Sequence, residues 1–212
     1  MSAQERSSHQ AQRPHGVAGR MFAAIMEKMN GRTYRWACDQ LRGETLGAVL
    51  EIGFGTGRLA ELLIRESKCQ HYCGVDPSEL MVEMAQNRLR SLKGSCSLDI
   101  REGEDGDLDW GPRRFDAVLA VHSFQFWAKP EDTLQQINGL LSETGSLVLI
   151  LRLHGGGTDA LNWLPNPIAK SGNEIQETLA ALERTGFRVI ESCRIGSGSF
   201  GIHALSGHGR KI

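Results

Sequence analysis

Residues Leu46 to Gly57 read Leu-Gly-Ala-Val-Leu-Glu-Ile-Gly-Phe-Gly-Thr-Gly, an apolar strand run that reaches Glu51 and then breaks into glycine at every second position, Gly53, Gly55 and Gly57. A glycine turn directly after a strand lets the backbone fold back sharply and approach a ligand where a Cβ would collide. The helix that follows, predicted from Arg58 to Glu66, points its unpaired N–H groups at the same place. Spacing separates the ligand classes. A dinucleotide-binding turn reads G-x-G-x-x-G, and its third glycine would fall on Arg58, so the match to a pyrophosphate binder is imperfect.

The pattern around this turn is an alternation. Strands are predicted at Ala48 to Ile52, His71 to Val75 and Ser97 to Glu102, separated by helices at Arg58 to Glu66 and Ser78 to Leu92, which is the signature of a parallel sheet. Phe115 to Val121 and Gly145 to Leu151 are nearly unbroken apolar runs, as expected of central strands covered on both faces. Pro130 opens the helix between them, at a position where a missing N–H costs little. Ser171 with Glu174 forms a capping-box pattern that starts a helix to Thr185, stopped by Gly186. Phe187 to Arg194 and Phe200 to Leu205, joined through Gly196-Ser197-Gly198-Ser199, predict a terminal antiparallel hairpin. Ahead of the sheet, apolar residues recur at helical spacing from Val17 to Met29, and again through Tyr34, Ala37, Cys38 and Leu41.

Size and charge narrow the function. A chain of 212 residues accommodates one well-buried α/β domain. A formal net charge of −1 gives no electrostatic reason to expect a nucleic-acid partner. Met1 to Gly16 is polar, and no run approaches the ~18 apolar residues of a membrane span, so no membrane is expected and a cytoplasmic location is. The five cysteines form no C-x-x-C pair and are expected as reduced thiols. Cys69, His71 and Cys73 alternate within an apolar strand and lack a second ligand pair, so no metal site is expected.

The E-x-G-x-G-x-G pattern, together with Gly74-Val75-Asp76-Pro77-Ser78, resembles the class I S-adenosylmethionine (SAM)-dependent methyltransferases, from about Ala48 to Leu151. The resemblance implies a single-domain, Rossmann-like α/β fold with a seven-stranded, mostly parallel sheet in the order 3-2-1-4-5-7-6. It closes with a C-terminal antiparallel hairpin and is preceded by N-terminal helices. Residues 1–44 then form an N-terminal segment with lid candidates, and residues 45–212 the methyltransferase domain.

The resemblance also implies a set of cofactor-binding residues. Glu51 would receive the amino group of the methionine moiety beside the turn formed by Gly53, Phe54, Gly55 and Gly57. Asp76 would accept from both ribose hydroxyls, followed by Pro77 and Ser78, with Met81 against the adenine. Glu104 or Asp105, next to Gly106, would accept from the exocyclic amine. Val121 and His122 lie at the end of the fourth strand, on the edge where open α/β sheets bind ligands. His122 is the single titratable side chain of the segment through Trp127 and the candidate proton acceptor in catalysis, against a structural role. Phe124, Phe126 and Trp127 are either a pocket wall or core.

The expected reaction is methyl transfer from SAM to a small-molecule acceptor, because no inserted substrate domain is evident. The acceptor atom is not specified, and a homodimer is left open. A SAM-binding sensor or assembly subunit without turnover is the alternative. A nicotinamide-dependent oxidoreductase is disfavoured by Arg58 and by the lack of a Tyr-x-x-x-Lys pair. The Asn-Pro-Pro-Tyr type motif of base amino-methylation is missing after the fourth strand. Lid candidates are the stretch with His15, Gly16, Arg20, Met21 and Phe22, and the loop Gly155 to Lys170 with Asn162, Trp163 and Asn166.

Overall fold

The computed structural model describes residues 16–41, 46–66, 68–153 and 170–207. Among the described residues two helices come first, α1 (Gly16–Met29) and α2 (Gly31–Gln40), divided by little more than Asn30. Strand β1 (Leu46–Ile52), helix α3 (Arg58–Arg65), strand β2 (Cys69–Asp76), helix α4 (Glu79–Leu89) and strand β3 (Ser97–Glu102) follow. The second half contains β4 (Phe115–Val121), α5 (Pro130–Leu140), β5 (Leu141–Arg152), α6 (Gly172–Arg184), β6 (Phe187–Ile195) and β7 (Ser199–Ser206). These strands form one seven-stranded sheet in the order β3-β2-β1-β4-β5-β7-β6. Strands β1 to β5 pair in parallel, and β7 inserts antiparallel between β5 and β6. The expected architecture is therefore present.

Strand alternation divides the core in two. Leu50, Val118, Ala120, Leu147 and Leu149 face one side, under Leu134 and Ile137 of α5 and Ile175 and Leu182 of α6. Val49, Ala117, Leu119, Val148 and Ile150 face the other, under Ala37 and Cys38 of α2 and Leu59 and Leu63 of α3. Every one of these side chains is at most 7% exposed, so the central strands are covered on both faces and their unbroken apolar runs follow. Helix α2 shares this core, which ties it to the sheet.

Local signals set the boundaries. Pro130 occupies the first turn of α5. The Ser171 hydroxyl accepts from the Glu174 N–H while the Glu174 carboxylate accepts from the Ser171 N–H, a complete capping box. Gly186 ends α6 at φ +86°. β5 starts four residues earlier than its apolar run, at Leu141 instead of Gly145. Ser142, Glu143 and Thr144 belong to the strand but carry no apolar pattern, and the pairing with β4 shifts register between Phe115 and Ala117. No helix among the described residues is long and apolar enough to cross a membrane.

Candidate functional site

The parallel strands β1 to β5 all end on one edge of the sheet, where Glu51, Asp76, Glu104 and His122 lie at or just beyond the strand ends. After β1 the chain turns through Gly53, Gly55 and Gly57 at φ +76°, +55° and +73°, left-handed backbone that glycine adopts without a Cβ penalty. Gly53 donates to the Val75 carbonyl at 2.7 Å, pinning the turn to β2. A Cβ on Gly53 would lie 2.4 Å from the Ser123 Cβ, and one on Gly57 would lie 2.9 Å from the Ala85 Cβ, whereas one on Gly55 would meet nothing within 4 Å. The turn is thus wedged at both ends and open in the middle.

Two acids flank that opening. Asp76, at the end of β2, accepts from the Gly55 N–H at 2.8 Å and the Ser78 N–H at 3.0 Å, one to each carboxyl oxygen. Burial raises its pKa to about 6, opposed by those two hydrogen bonds and reinforced by the nearby charge of Glu104. Glu51, 2% exposed at the end of β1, accepts from the Tyr72 hydroxyl at 2.7 Å. Burial lifts its pKa to about 8, the Tyr72 hydrogen bond works against that rise, and the charge of Asp76 adds to it. Neither acid forms an ion pair among the described residues, so both carry the cost of burial without a cation.

Beyond β3, Glu104 and Asp105 have different neighbours. Asp105 accepts from the Thr133 hydroxyl of α5 at 2.8 Å, while the Glu104 N–H donates to Asp107 at 2.8 Å and its charge is felt by Asp76. Met81 is buried, and its N–H donates to the Ser78 hydroxyl that caps α4. Pro77 is half-buried and Gly106 exposed in the same rim, and Val121 closes β4 as a buried residue.

His122 is the one non-glycine residue of the described chain with positive φ, at +56°. Its N–H donates to the Ile150 carbonyl, and its ring lies between two partners, Ser199 Oγ at 3.0 Å from Nε2 and Arg152 Nη2 at 3.3 Å from Nδ1. A guanidinium only donates, so Nδ1 is the acceptor and the neutral ring carries its proton on Nε2, toward Ser199. Burial, and then the charge of Arg152, push the pKa of His122 well below the ordinary imidazole range. The aromatic segment after it divides: Phe124 and Trp127 pack in the core with ring centroids 4.9 Å apart, and Phe126 is half-buried.

Several residues of this edge carry no linear signal. Glu27 of α1 accepts from Thr56 of the glycine turn at 2.8 Å and pairs with Arg88 of α4 at 2.8 Å. Arg58, at the position of a third dinucleotide glycine, pairs with Glu61 at 2.8 Å. Arg152 also donates to Asn30 at 3.1 Å. Among lid candidates, Arg20 pairs with Glu83 at 3.0 Å. His15, Asn162, Trp163 and Asn166, with the side chains of Met21 and Phe22, lie outside the described residues. No group of three or more His, Cys, Asp or Glu side chains that could hold a metal ion occurs among the described residues.

The donor set fits a cationic ligand better than an anionic one. Two buried carboxyls without an ion pair among the described residues offer a pyrophosphate no cation, but they can accept from an ammonium, a ribose diol and an amine. A family model described as a methyltransferase domain matches residues 50–147. A malonyl-[acyl-carrier protein] O-methyltransferase from Brevibacillus brevis is 25% identical over 188 residues, covering 84% of this chain and 68% of the relative. A SAM-dependent methyltransferase from Aquifex aeolicus superposes with a TM-score of 0.68 at 18% identity, over 87% of this chain and 98% of that one. The [4+2]-cyclase SpnF superposes with a TM-score of 0.70 at 17% identity, over 84% of this chain and 82% of that one.

Proposed function

We propose that the chain is a class I SAM-dependent methyltransferase that methylates a small-molecule acceptor in the cleft above β1, β2 and β4. The observation that carries this reading is the pair Glu51 and Asp76, buried on neighbouring strands β1 and β2 without an ion pair among the described residues, with Asp76 bonded to the open Gly55. When bound, SAM supplies a methyl group on a positively charged sulfonium.

In this reading Glu51 receives the amino end of the cofactor. Asp76, whose two oxygens are already oriented by Gly55 and Ser78, uses its remaining lone pairs for the ribose diol. Glu104 or Asp105 takes the exocyclic amine, the Asp105 carboxylate while also accepting from Thr133. Phe54, Pro77, Met81 and Gly106 enclose the nucleoside, and Val121 with His122 forms the side toward the acceptor. His122 accepts a proton only when Arg152 leaves Nδ1, so its first duty here is to hold Arg152 and Ser199 at the edge. Methyl transfer to an acceptor that is already nucleophilic rests on alignment and exclusion of water and needs no base.

The test is titration calorimetry with SAM and with NAD, followed by a labelled-methyl screen of metabolite pools. Saturable SAM binding and a methylated small molecule are expected. Binding of NAD without SAM would overturn the reading; SAM binding with no acceptor in any pool would favour a sensor without turnover.

A further inference from the structure

We propose that Tyr72 is a positioning residue for cofactor binding, its phenol holding the Glu51 carboxyl in the orientation and ionised state that receive the amino end of SAM. The proposal rests on the role given to Glu51 above.

The geometry is specific. In the parallel register of β1 and β2, Glu51 lies opposite Gly74 and Val49 opposite Tyr72, so Tyr72 and Gly74 share a face. Gly74 leaves a notch: a Cβ there would lie 3.3 Å from Tyr72 Cε1 and 2.7 Å from Phe54 Cδ1. Through this notch the Tyr72 ring leans along its strand, and its hydroxyl reaches Glu51 Oε2 at 2.7 Å. Tyr72 is 0% exposed and Glu51 2%, so water does not compete for this bond.

The groups facing Glu51 leave Tyr72 as its donor. From β2 come Tyr72 and Asp76, the second a like charge. From α2 come Tyr34 and Cys38, both pushed up to about 12, mainly by burial, with the charge of Glu51 adding to the rise, and therefore neutral. Glu27 and Arg88 stand beyond Tyr34, paired with each other. A phenol donating to a buried carboxyl favours its ionised form and opposes the effect of burial. If SAM binds the ionised form, the free protein must first lose a proton from Glu51, and whatever favours that loss tightens binding.

The test uses the full chain and three variants. In carboxyl 13C NMR of the free protein, the Glu51 signal, identified by its loss in Glu51→Gln, should titrate near about 8. In Tyr72→Phe, which keeps the ring, it should move up by about one unit. Near pH 7, SAM should then bind about 10-fold more weakly, while 5′-methylthioadenosine, which lacks the amino-acid end, should stay within about twofold. The third variant covers a Tyr72→Phe that does not fold. Parent protein in which Tyr34 and Tyr72 carry 3-fluorotyrosine has more acidic phenols, and Glu51 should titrate lower. An unmoved Glu51 titration in these proteins, or equal weakening of SAM and 5′-methylthioadenosine, overturns the proposal and leaves Tyr72 a packing residue. A Glu51→Gln protein that binds SAM as tightly as the parent would instead overturn the role of Glu51 itself.

Discussion

At His122 the backbone and the side chain make opposing demands. A φ of +56° suits glycine and costs another residue roughly 1–2 kcal/mol, yet the ring is fixed by Arg152 and Ser199. Replacing it by Gly or by Ala removes the same ring, so the two variants should differ mainly in backbone cost. His122→Gly should therefore be more stable than His122→Ala by about 1 kcal/mol, the reverse of the usual order, read from chemical denaturation midpoints. Equal stabilities would mean the chain relaxes out of the left-handed region. Both variants should lower turnover more than SAM affinity if the ring serves the acceptor side. The sequence made His122 visible as a titratable side chain after a strand, but not its partners, because Arg152 and Ser199 arrive from β5 and β7. Tyr72 was hidden for the same reason. It reads as one more strand residue until Gly74 is seen to open a path to Glu51.

The glycine turn shows what an element adds to a motif. Gly55 and Gly57 look alike in the sequence and share left-handed backbone, but only Gly57 abuts a neighbour, Ala85 of α4. Gly57→Ala should cost about 2–4 kcal/mol, from backbone strain plus overpacking, and lower the melting temperature accordingly. Gly55→Ala should cost roughly 1–2 kcal/mol in stability, because its Cβ enters open space, while weakening SAM binding by an order of magnitude or more. A Gly55→Ala protein that binds SAM like the parent would place the cofactor elsewhere. Strands were legible wherever both faces are covered, as at Phe115–Val121, and helix starts wherever a cap is written locally, as at Ser171. The first residues of β5 were not, since Ser142 to Thr144 fall between the Phe115–Leu141 and Ala117–Ser146 pairs, where the register shifts, and carry no apolar pattern. The latch of α1 onto the turn was equally illegible, because Glu27, Thr56 and Arg88 are scattered along the chain.

For the whole molecule, the two unpaired acids couple stability to function through pH. Each has a folded pKa raised by burial, Asp76 from 3.8 to about 6 and Glu51 from 4.5 to about 8. The folded protein thus holds protons that the unfolded chain gives up earlier. That contribution is fully present below the unfolded values and is lost as pH rises through about 6 and then about 8. The ligand-free protein should lose on the order of a few kcal/mol between about pH 5 and pH 8, seen as a falling melting temperature. Glu51→Gln keeps an acceptor for Tyr72 but has no charge to bury, so it should flatten the upper part of that decline and be more stable than the parent near pH 8. The same variant should bind SAM poorly, because the stability it gains is the cost the parent carries to keep an anion ready for a cation. SAM should raise the parent's melting temperature more at about pH 7.5 than at about pH 6, since Glu51 is less often protonated there; one proton with a pKa of about 8 makes the affinity difference roughly 20-fold. In Glu51→Gln that difference should shrink to whatever Asp76 supplies. A parent melting temperature that is flat from pH 5 to 8, with a SAM shift independent of pH, would show that Glu51 is ionised throughout and that its burial is offset by some other group.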